Sequence, residues 1–288
     1  MIDLFKRQST NQALIAGGSI CVWGPTGSPG KSTLALNLAC ELASSGKQVL
    51  LIDLDTYSAS IGTLIGVAEP GPGVAAAARL VSQDRLDTEQ FLRLASKYQV
   101  GKGVMSVLAG LGSELRWPEL TGEKVRGIIS RATQNYDFVI LDVASPLEAG
   151  LKHVGGVVDR NVSTRTALEV CTRSIAVFNA DQIGVKRLCD AFAQMSELAT
   201  SPILVANRLR TTALGSGAKQ QIKDALFEMC QTEVNWFVPE DRTSCDRAVL
   251  DMIPLVMLKR SSVARQAIAQ FVRQTFEMGA GLKAPVAI

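Results

Sequence analysis

A glycine-rich turn between an apolar run and a helix-like run constrains the fold of this chain most. The run SICVW ends at Trp23, the turn reads GPTGSPGKST from Gly24 to Thr33, and the helical pattern LALNLACELA follows directly. This order predicts a loop whose backbone N–H groups, together with a helix N-terminus, surround a phosphate. Lys31 would reach the β and γ phosphates of a nucleotide, and Ser32 would supply an oxygen to Mg²⁺. The alternative is an ordinary glycine and proline turn before a helix.

Short apolar runs alternate with longer segments of helical period along the whole chain. Runs such as VLLI, FVIL and ILVA are apolar at every position, as expected for strands buried on both faces. The pattern therefore predicts an α/β fold with a mostly parallel sheet and helices on both faces. The predicted strands are 19–23, 48–53, 104–108, 137–142, 174–178, 203–206 and 234–238. Periodicity is lost in 70–73, 110–118 and 144–160, which we expect to be irregular.

Length and charge limit the number of domains and the kinds of site, but they do not identify a partner. The 288 residues could form two domains, but the alternation runs unbroken to Gln274, so we predict one. Its divisions are an N-terminal extension 1–18, a nucleotide-binding domain 19–277 and a tail 278–288. The net charge is only +3. The single histidine, His153, excludes sites that need two or more histidines, and we expect it in an exposed loop.

The cysteines and the hydropathy pattern indicate a reducing compartment. Six cysteines are scattered without a C-x-x-C pair, and we interpret them as reduced thiols rather than as metal ligands or disulfides. No apolar run approaches the ~20 residues that span a bilayer, and the N-terminus lacks the apolar stretch and cleavage site of a signal peptide. We therefore expect a cytosolic protein.

Two further predicted strands end in aspartate. Asp53 closes the run VLLID and Asp55 follows two residues later, while Asp142 closes the run FVILD. Carboxyl ends of parallel strands meet at one edge of a sheet, so these carboxylates should lie near the phosphate loop. Asp142 would then hold a Mg²⁺-bound water. The alternative for Asp53 and Asp55 is that they cap a following helix.

The order of these motifs resembles the ParA/MinD class of ATPases, whose deviant Walker A loop reads K-G-G-x-G-K-[ST]. Aligned on Gly30 and Lys31, that pattern covers residues 26–32, where this chain has Thr26 for the signature lysine and Ser28 for the second glycine. The standard Walker A pattern also fails, because Pro25 stands where it requires glycine. The form W-G-P-x-G-x-P-G is similar to CpaE/TadZ-like members, which act in pilus assembly.

This resemblance implies an ATP or ADP site with Mg²⁺. Its nucleotide-binding residues would be Gly27, Ser28, Pro29, Gly30, Lys31, Ser32, Thr33, Asn207, Pro239 and Asp241. Asn207, in the strand motif ILVANR, would bind the adenine edge, and the turn at Pro239 and Asp241 would frame the base. Asp55 would orient the attacking water, with Lys31 as its catalytic partner. The metal site would comprise Ser32 and Asp142, with Asp53 supporting the loop or the magnesium shell.

The same resemblance implies a homodimer that hydrolyses ATP slowly and positions a cargo, such as pilus or secretion machinery, a partitioned DNA or a division component. The alternative is a non-hydrolysing scaffold that keeps the fold and the nucleotide but has lost turnover with the changes at Thr26 and Ser28. A P-loop metabolic enzyme is disfavoured, since no acid for a second substrate is evident. An iron-sulfur reductase would need cluster cysteines that this scattered set does not offer.

Charged residues suggest partners only weakly. Arg160 or Arg165 could replace the missing lysine as a cation near the site, or both could be surface residues. Basic residues at 208, 210, 219, 223, 259, 260, 265 and 273 leave open weak, salt-sensitive DNA binding. The short start MIDLFKR is too small to anchor the chain to a membrane alone. We expect a bacterial cytoplasmic protein recruited to a pole, a membrane complex or the nucleoid.

Overall fold

A computed structural model describes residues 15–27, 29–67, 73–153, 156–199, 201–210, 215, 217–234, 236–258 and 261–276. The strands are β1 (Gly18–Trp23), β2 (Val49–Asp53), β3 (Ser96–Val100), β4 (Gly103–Leu108), β5 (Phe138–Asp142), β6 (Leu151–His153), β7 (Gly156–Val158), β8 (Arg173–Asn179), β9 (Ile203–Leu209) and β10 (Trp236–Pro239). The main sheet has eight strands in the order β10-β9-β8-β1-β5-β2-β4-β3. Its pairs are parallel except for β3 with β4. The predicted α/β fold with a seven- or eight-stranded, mostly parallel sheet is confirmed.

Helices connect these strands. They are α1 (Lys31–Ser44), α2 (Ile61–Leu64), α3 (Gly73–Ser82), α4 (Thr88–Leu94), α5 (Gly122–Asn135), α6 (Val162–Val170), α7 (Gln182–Leu198), α8 (Ala218–Cys230), α9 (Arg242–Asp251) and α10 (Val263–Thr275). Short 3-10 turns span Glu114–Glu119 and Leu255–Met257. Long connections of this kind are what parallel pairing requires, because a tight turn cannot join the ends of two parallel strands.

Two hydrophobic cores lie on opposite faces of the sheet. Alternate residues of β1 show this directly, since Cys21 and Trp23 pack into one core and Ile20 and Val22 into the other. One core is covered mainly by α3, α5 and α7, and the other by α1 and α10. Burial of every residue of β2 and β5 explains why their sequences are apolar throughout. Because β1, β5 and β2 are parallel neighbours, their carboxyl ends lie together at one end of the sheet.

Two parts of the fold were not predicted. The edge strand β3 carries Ser96, Lys97 and Gln99, and its exposure alternates along the strand, so its sequence is not a continuous apolar run. The segment 144–160, expected to be irregular, contains the antiparallel hairpin β6–β7, and His153 lies in β6 rather than in a loop. Both strands of the hairpin have only three residues, which is too short for a periodic signal.

Two of the six cysteines lie close together. Cys189 of α7 and Cys230 of α8 face each other with their Cα atoms 6.0 Å apart, a separation that a disulfide can span, and their reduced state stays a prediction. The two helices pack against each other, which brings together thiols that are 41 residues apart in the chain. Cys21 and Cys40 are free and buried, as predicted.

The ends of the chain stay predictions. Residues 1–14 and 277–288 lie outside the described residues, as do Lys259, Arg260 and the stretch 70–72. The proposed divisions at 18, 277 and 278 are therefore untested. Among the helices that the structure describes, none combines the length and the hydropathy that crossing a bilayer would require.

Candidate functional site

The glycine-rich loop connects the buried end of β1 to the first turn of α1, as the sequence predicts. Gly30 precedes the helix with a φ of 88°, in the left-handed region that glycine adopts without steric cost. A Cβ at Gly30 would lie 2.5 Å from Nδ2 of Asn207, so the position also needs glycine for space. Ser28 lies outside the described residues. The loop thus turns tightly and directs the N-terminus of α1 toward the sheet edge, where an anion could bind.

Lys31 begins α1 and points toward the segment that follows β5. Its ammonium group donates a hydrogen bond to Oγ of Ser145 at 2.8 Å. The indole N–H of Trp23 donates to the carbonyl oxygen of the same Ser145 at 2.9 Å. Ser145 therefore joins the end of β1, the phosphate loop and the segment after Asp142. Sequence analysis did not identify this residue, because serine in a loop carries no signal by itself.

Asp53 and Asp142 lie side by side at the ends of the adjacent strands β2 and β5. Both are buried. Burial raises the pKa of Asp53 to about 7, although backbone N–H groups of Ile61, Asp55 and Ser60 bond to its carboxylate and offset part of the rise. Burial raises the pKa of Asp142 well above its usual value, and the neighbouring Asp53 carboxylate raises it further. The two groups do not both ionise readily without a compensating cation.

The Asp53 and Asp142 carboxylates differ in their hydrogen-bond partners. Asp53 accepts hydrogen bonds from the backbone of the loop after β2 and from the N–H of Ile61, the first residue of α2, so it holds the loop and also the start of that helix, as the capping alternative predicted. Both oxygens of Asp142 are buried and lack a hydrogen-bond partner among the described residues. The Ser32 hydroxyl and the Lys31 ammonium lie close enough to lower the pKa of Asp142, although the Ser32 hydroxyl does not complete a hydrogen bond.

These groups fit Mg²⁺. An unpartnered buried carboxylate costs free energy, and a divalent cation near it would offset that cost. Ser32 and Asp142 are the residues that would hold the ion. Within the described residues, no group of three or more histidine, cysteine, aspartate or glutamate side chains could bind a metal. Nucleotide phosphates and water would therefore have to supply most ligands, which is the usual arrangement for Mg²⁺ in nucleotide-binding proteins.

Asp55 lies just beyond β2 and is mostly buried. Its Oδ1 accepts hydrogen bonds from the backbone N–H groups of Tyr57 at 2.8 Å and Ser58 at 2.9 Å. Asp55 is also near enough to Asp142 to raise the pKa of that carboxyl group. The alternative that Asp55 caps a following helix is not what the structure shows, since α2 begins only at Ile61. Its carboxylate instead closes a turn at the edge of the site.

The loop that carries Asp55 is bonded to the start of α6. Arg160 donates from Nη2 to the carbonyl oxygen of Thr56 at 2.7 Å and packs over the Tyr57 ring, 3.9 Å from its centroid. The Tyr57 hydroxyl donates to Oδ1 of Asn161 at 2.7 Å. Arg160 thus lies near the site, as predicted, but its guanidinium also pairs with Glu114.

The second predicted arginine is likewise engaged. Arg165 pairs with Asp159 and donates to the carbonyl oxygen of Glu148. Like Arg160, it binds groups of its own chain around the start of α6. In this structure the two arginines therefore hold the loops of the site together, and neither offers an uncommitted cation.

Asn207 ends up at the phosphate loop, though in a different contact from the one implied by resemblance. Its Nδ2 donates to the carbonyl oxygen of Pro29 at 2.7 Å, and so it supports the loop directly. Asn179 lies beside it on the neighbouring strand, and the Oδ1 of Asn179 is buried without a partner among the described residues. Sequence analysis missed Asn179, although the position of asparagine at a strand end was an available signal.

Pro239 ends β10, and Asp241 follows at the start of α9. The Asp241 carboxylate accepts hydrogen bonds from the Ser244 backbone N–H at 3.2 Å and from the Ser262 hydroxyl at 2.6 Å. Its side chain therefore caps a helix and ties α9 to α10. Backbone contacts of this turn with a base stay a prediction. Thr33 lies in the first turn of α1, where its carbonyl oxygen accepts a hydrogen bond from Asn37.

Known proteins share this arrangement over most of the chain. Residues 20–255 match the family model of the CobQ/CobB/MinD/ParA nucleotide binding domain. The septum site-determining protein MinD of Helicobacter pylori is 26% identical over 220 residues, which are 75% of each protein. The iron-sulfur cluster carrier protein of Aquifex aeolicus is 30% identical over 158 residues, which are 53% of this chain but 38% of that protein.

A solved structure is similar over nearly its whole length. The septum site-determining protein MinD of Pyrococcus horikoshii OT3, complexed with Mg-ADP, aligns with a TM-score of 0.69 and 19% identity. The alignment covers 93% of this chain and 99% of that one. This likeness shows that the two proteins share the fold of the sheet and its helices. This chain belongs to the CobQ/CobB/MinD/ParA nucleotide-binding domain family.

Proposed function

We propose that this protein binds ATP and ADP with Mg²⁺, hydrolyses ATP slowly, and dimerises in the ATP state to position or assemble a cellular cargo. The observation that carries this proposal is the convergence of Lys31, Ser32, Asp142 and Asp55 at the carboxyl ends of the strands, where the Asp142 carboxylate has no hydrogen-bond partner among the described residues. The Mg-ADP complex of the Pyrococcus horikoshii relative supports the choice of nucleotide and metal.

The residues of the site divide the work by chemistry. The loop N–H groups and the Lys31 ammonium would bind the phosphates, since both donate to anionic oxygen. Ser32 and Asp142 would hold Mg²⁺, which neutralises charge on the phosphates when bound. Asp55 would accept a hydrogen bond from the attacking water. The two backbone donors to Asp55 both bond to its Oδ1, so its other oxygen is available to a water.

A switch also needs a part that responds to the nucleotide. The loop from Asp55 to Tyr57 is bonded to Arg160 and Asn161 at the start of α6. The negative charge of a terminal phosphate near Asp55 would repel its carboxylate and weaken the backbone bonds that Oδ1 now accepts. Movement of this loop would therefore pass to α6 through the Arg160 contacts. We propose that this route changes the surface on which a second copy or a partner protein binds.

A non-hydrolysing scaffold is the second candidate. Thr26 occupies the place of the signature lysine and is exposed. A hydroxyl group cannot neutralise the charge that develops during phosphoryl transfer, and cations in such positions are worth about 10³ to 10⁵ in rate. The fold, the loop and the metal residues would then serve binding alone.

One pair of measurements on purified protein separates the candidates. Sedimentation with MgATP, MgADP or no nucleotide should show a dimer only with ATP, and single-turnover phosphate release should be slow but above the rate without protein. A dimer with ATP that never releases phosphate would establish the scaffold instead. A sedimentation profile unchanged by ATP, with nucleotide bound, would reject the dimerising switch.

The cargo is proposed by family alone: a division, partition or pilus-assembly component. Weak DNA binding also stays a proposal. Two of the basic residues that could contact DNA form ion pairs within the chain: Arg210 with Glu240, and Arg265 with Glu41. Lys219 packs near the Phe237 ring, 5.5 Å from its centroid. DNA affinity, if measured, should fall steeply with salt.

A further inference from the structure

An arginine from α7 lies against the phosphate loop. Arg187 is exposed on that helix, and its guanidinium contacts Gly27, the second residue of the ParA/MinD-like pattern. Gly27 has a φ of 109° and no side chain to block this approach. A Cβ there would overlap Nη1 of Arg187 and would lie 2.9 Å from its Cζ. The loop and the arginine are thus fitted to each other at a position where only glycine leaves room.

The start of α7 is built to approach the loop. Gly184 packs against the end of β8, where a Cβ would overlap the carbonyl oxygen of Asn179 and lie 2.8 Å from its Cβ. The Asp181 carboxylate accepts a hydrogen bond from the Gly184 N–H at 2.7 Å and fixes the first turn. Arg187 follows less than one turn later. Its position beside Gly27 therefore follows from a helix start held by packing and by a cap.

The charge of Arg187 is uncommitted within the described part of the chain. No ion pair or side-chain hydrogen bond there engages its guanidinium, whereas the adjacent Lys186 pairs with Asp190. Arg160 and Arg165, which the sequence offered as cations, are bound to carboxylates and backbone carbonyl groups. A guanidinium held against a phosphate-type loop, without an acidic partner, points to an anionic ligand.

We propose that Arg187 binds the terminal phosphate of the nucleotide held by the phosphate loop of the same chain. The inference rests on the proposed nucleotide site and adds a residue to it. Its planar guanidinium presents several N–H donors in a fixed fork, which suits two phosphate oxygens at once. Arg187 would thereby supply from α7 a positive charge that Thr26 does not supply from the loop.

The test compares Arg187→Ala and Arg187→Lys with Lys186→Ala, a matched control that removes the neighbouring exposed cation of the same helix. Titration calorimetry measures the dissociation constants of ATP and ADP with Mg²⁺ for each full-length variant, with Lys31→Ala as a reference for the site itself. Arg187→Ala should lower the affinity for ATP about tenfold or more, as expected when a charge-assisted hydrogen bond to phosphate is lost. The affinity for ADP should be nearly unchanged.

The control and the conservative variant sharpen the result. Lys186→Ala should bind both nucleotides like wild type, and Arg187→Lys should recover part of the ATP affinity because it keeps the charge. Equal weakening of ATP and ADP in Arg187→Ala would show support of the loop rather than contact with the terminal phosphate, and would overturn the inference, as would unchanged ATP affinity. Failure of Lys31→Ala to reduce binding would instead overturn the nucleotide site.

Discussion

The Lys31 ammonium donates a hydrogen bond to the hydroxyl of Ser145 at 2.8 Å, so the lysine of the phosphate loop is held by the segment that follows Asp142. To bind phosphate, Lys31 must exchange this neutral oxygen for anionic ones. Trp23 is bonded to the carbonyl oxygen of the same serine, so the exchange should also change the surroundings of a buried indole. The Ser145 hydroxyl thus competes with phosphate for Lys31, and the fluorescence of Trp23 should report when Lys31 moves.

Removing that competitor should tighten nucleotide binding. Ser145→Ala deletes the acceptor but keeps the backbone carbonyl that Trp23 uses, so we expect ATP affinity to rise about tenfold, the low end for a hydrogen bond made by a charged group. Fluorescence titration in a Trp117→Phe, Trp236→Phe background would follow Trp23 alone. Weaker binding in Ser145→Ala would contradict a competing role and would indicate that the hydroxyl helps to place Lys31.

Hydrolysis should depend on the charge of Asp55. Asp55→Asn keeps an oxygen that can accept from the Tyr57 and Ser58 N–H groups, so the loop should hold its shape while the charge is lost. We expect ATP affinity to stay near wild type and phosphate release to fall about 100-fold or more, as for a lost general base. Phosphate release at the wild-type rate would show that another group orients the water.

Asn207 has two possible tasks that one experiment distinguishes. Its bond to the Pro29 carbonyl supports the loop, whereas the family resemblance assigns it to the adenine edge. If Asn207 mainly supports the loop, Asn207→Ala should lower the affinities for ATP and GTP by the same factor, roughly fivefold to tenfold. Competition binding of the two nucleotides measures this. A loss confined to ATP would favour base recognition and contradict the structural role drawn here.

The buried carboxylates should make stability depend on pH. Unfolded aspartate releases its proton near pH 4, whereas the folded pKa of Asp53 is about 7 and that of Asp142 is raised as well. Above pH 4 the folded protein binds more protons than the unfolded chain, so the free energy of unfolding falls as pH rises, until both folded carboxyl groups have ionised. Asp142→Asn should flatten this profile and stabilise the nucleotide-free protein at pH 8.

Urea unfolding at several pH values measures that profile. The control is Asp159→Asn, which removes a carboxylate near the site that is paired with Arg165 and lies away from Asp142 in the chain. It should leave the slope between pH 4 and 7 in place. A wild-type unfolding free energy that rises through this range would mean that the two carboxylates are better compensated than their burial indicates.

The sequence predicted the sheet and the position of the loop because both depend on local patterns. Fully apolar strands such as those of β2 and β5 require burial on both faces, and the run from Trp23 to Lys31 has few other uses. The edge strand β3 was not predicted because an edge strand is half exposed, and its sequence mixes polar residues such as Lys97 with apolar ones. The hairpin β6–β7 escaped because three-residue strands have no period.

The site was predicted only where a motif names its residue. Asp55, Asp142 and Lys31 meet at the sheet edge as the strand ends implied, since topology alone brings them there. Ser145 and Arg187 are placed by packing between segments far apart in the chain, which no spacing rule shows. The proximity of Cys189 and Cys230 was missed for the same reason, because it depends on how α7 packs on α8.

The most direct test of the proposed site is calorimetric titration of MgATP into the wild-type protein and into Lys31→Ala, with Lys102→Ala as a control for removal of an exposed lysine elsewhere. We expect one nucleotide per chain for the wild type and the control, and no measurable heat of binding for Lys31→Ala. Wild-type affinity in Lys31→Ala, or no binding by the wild type, would contradict it.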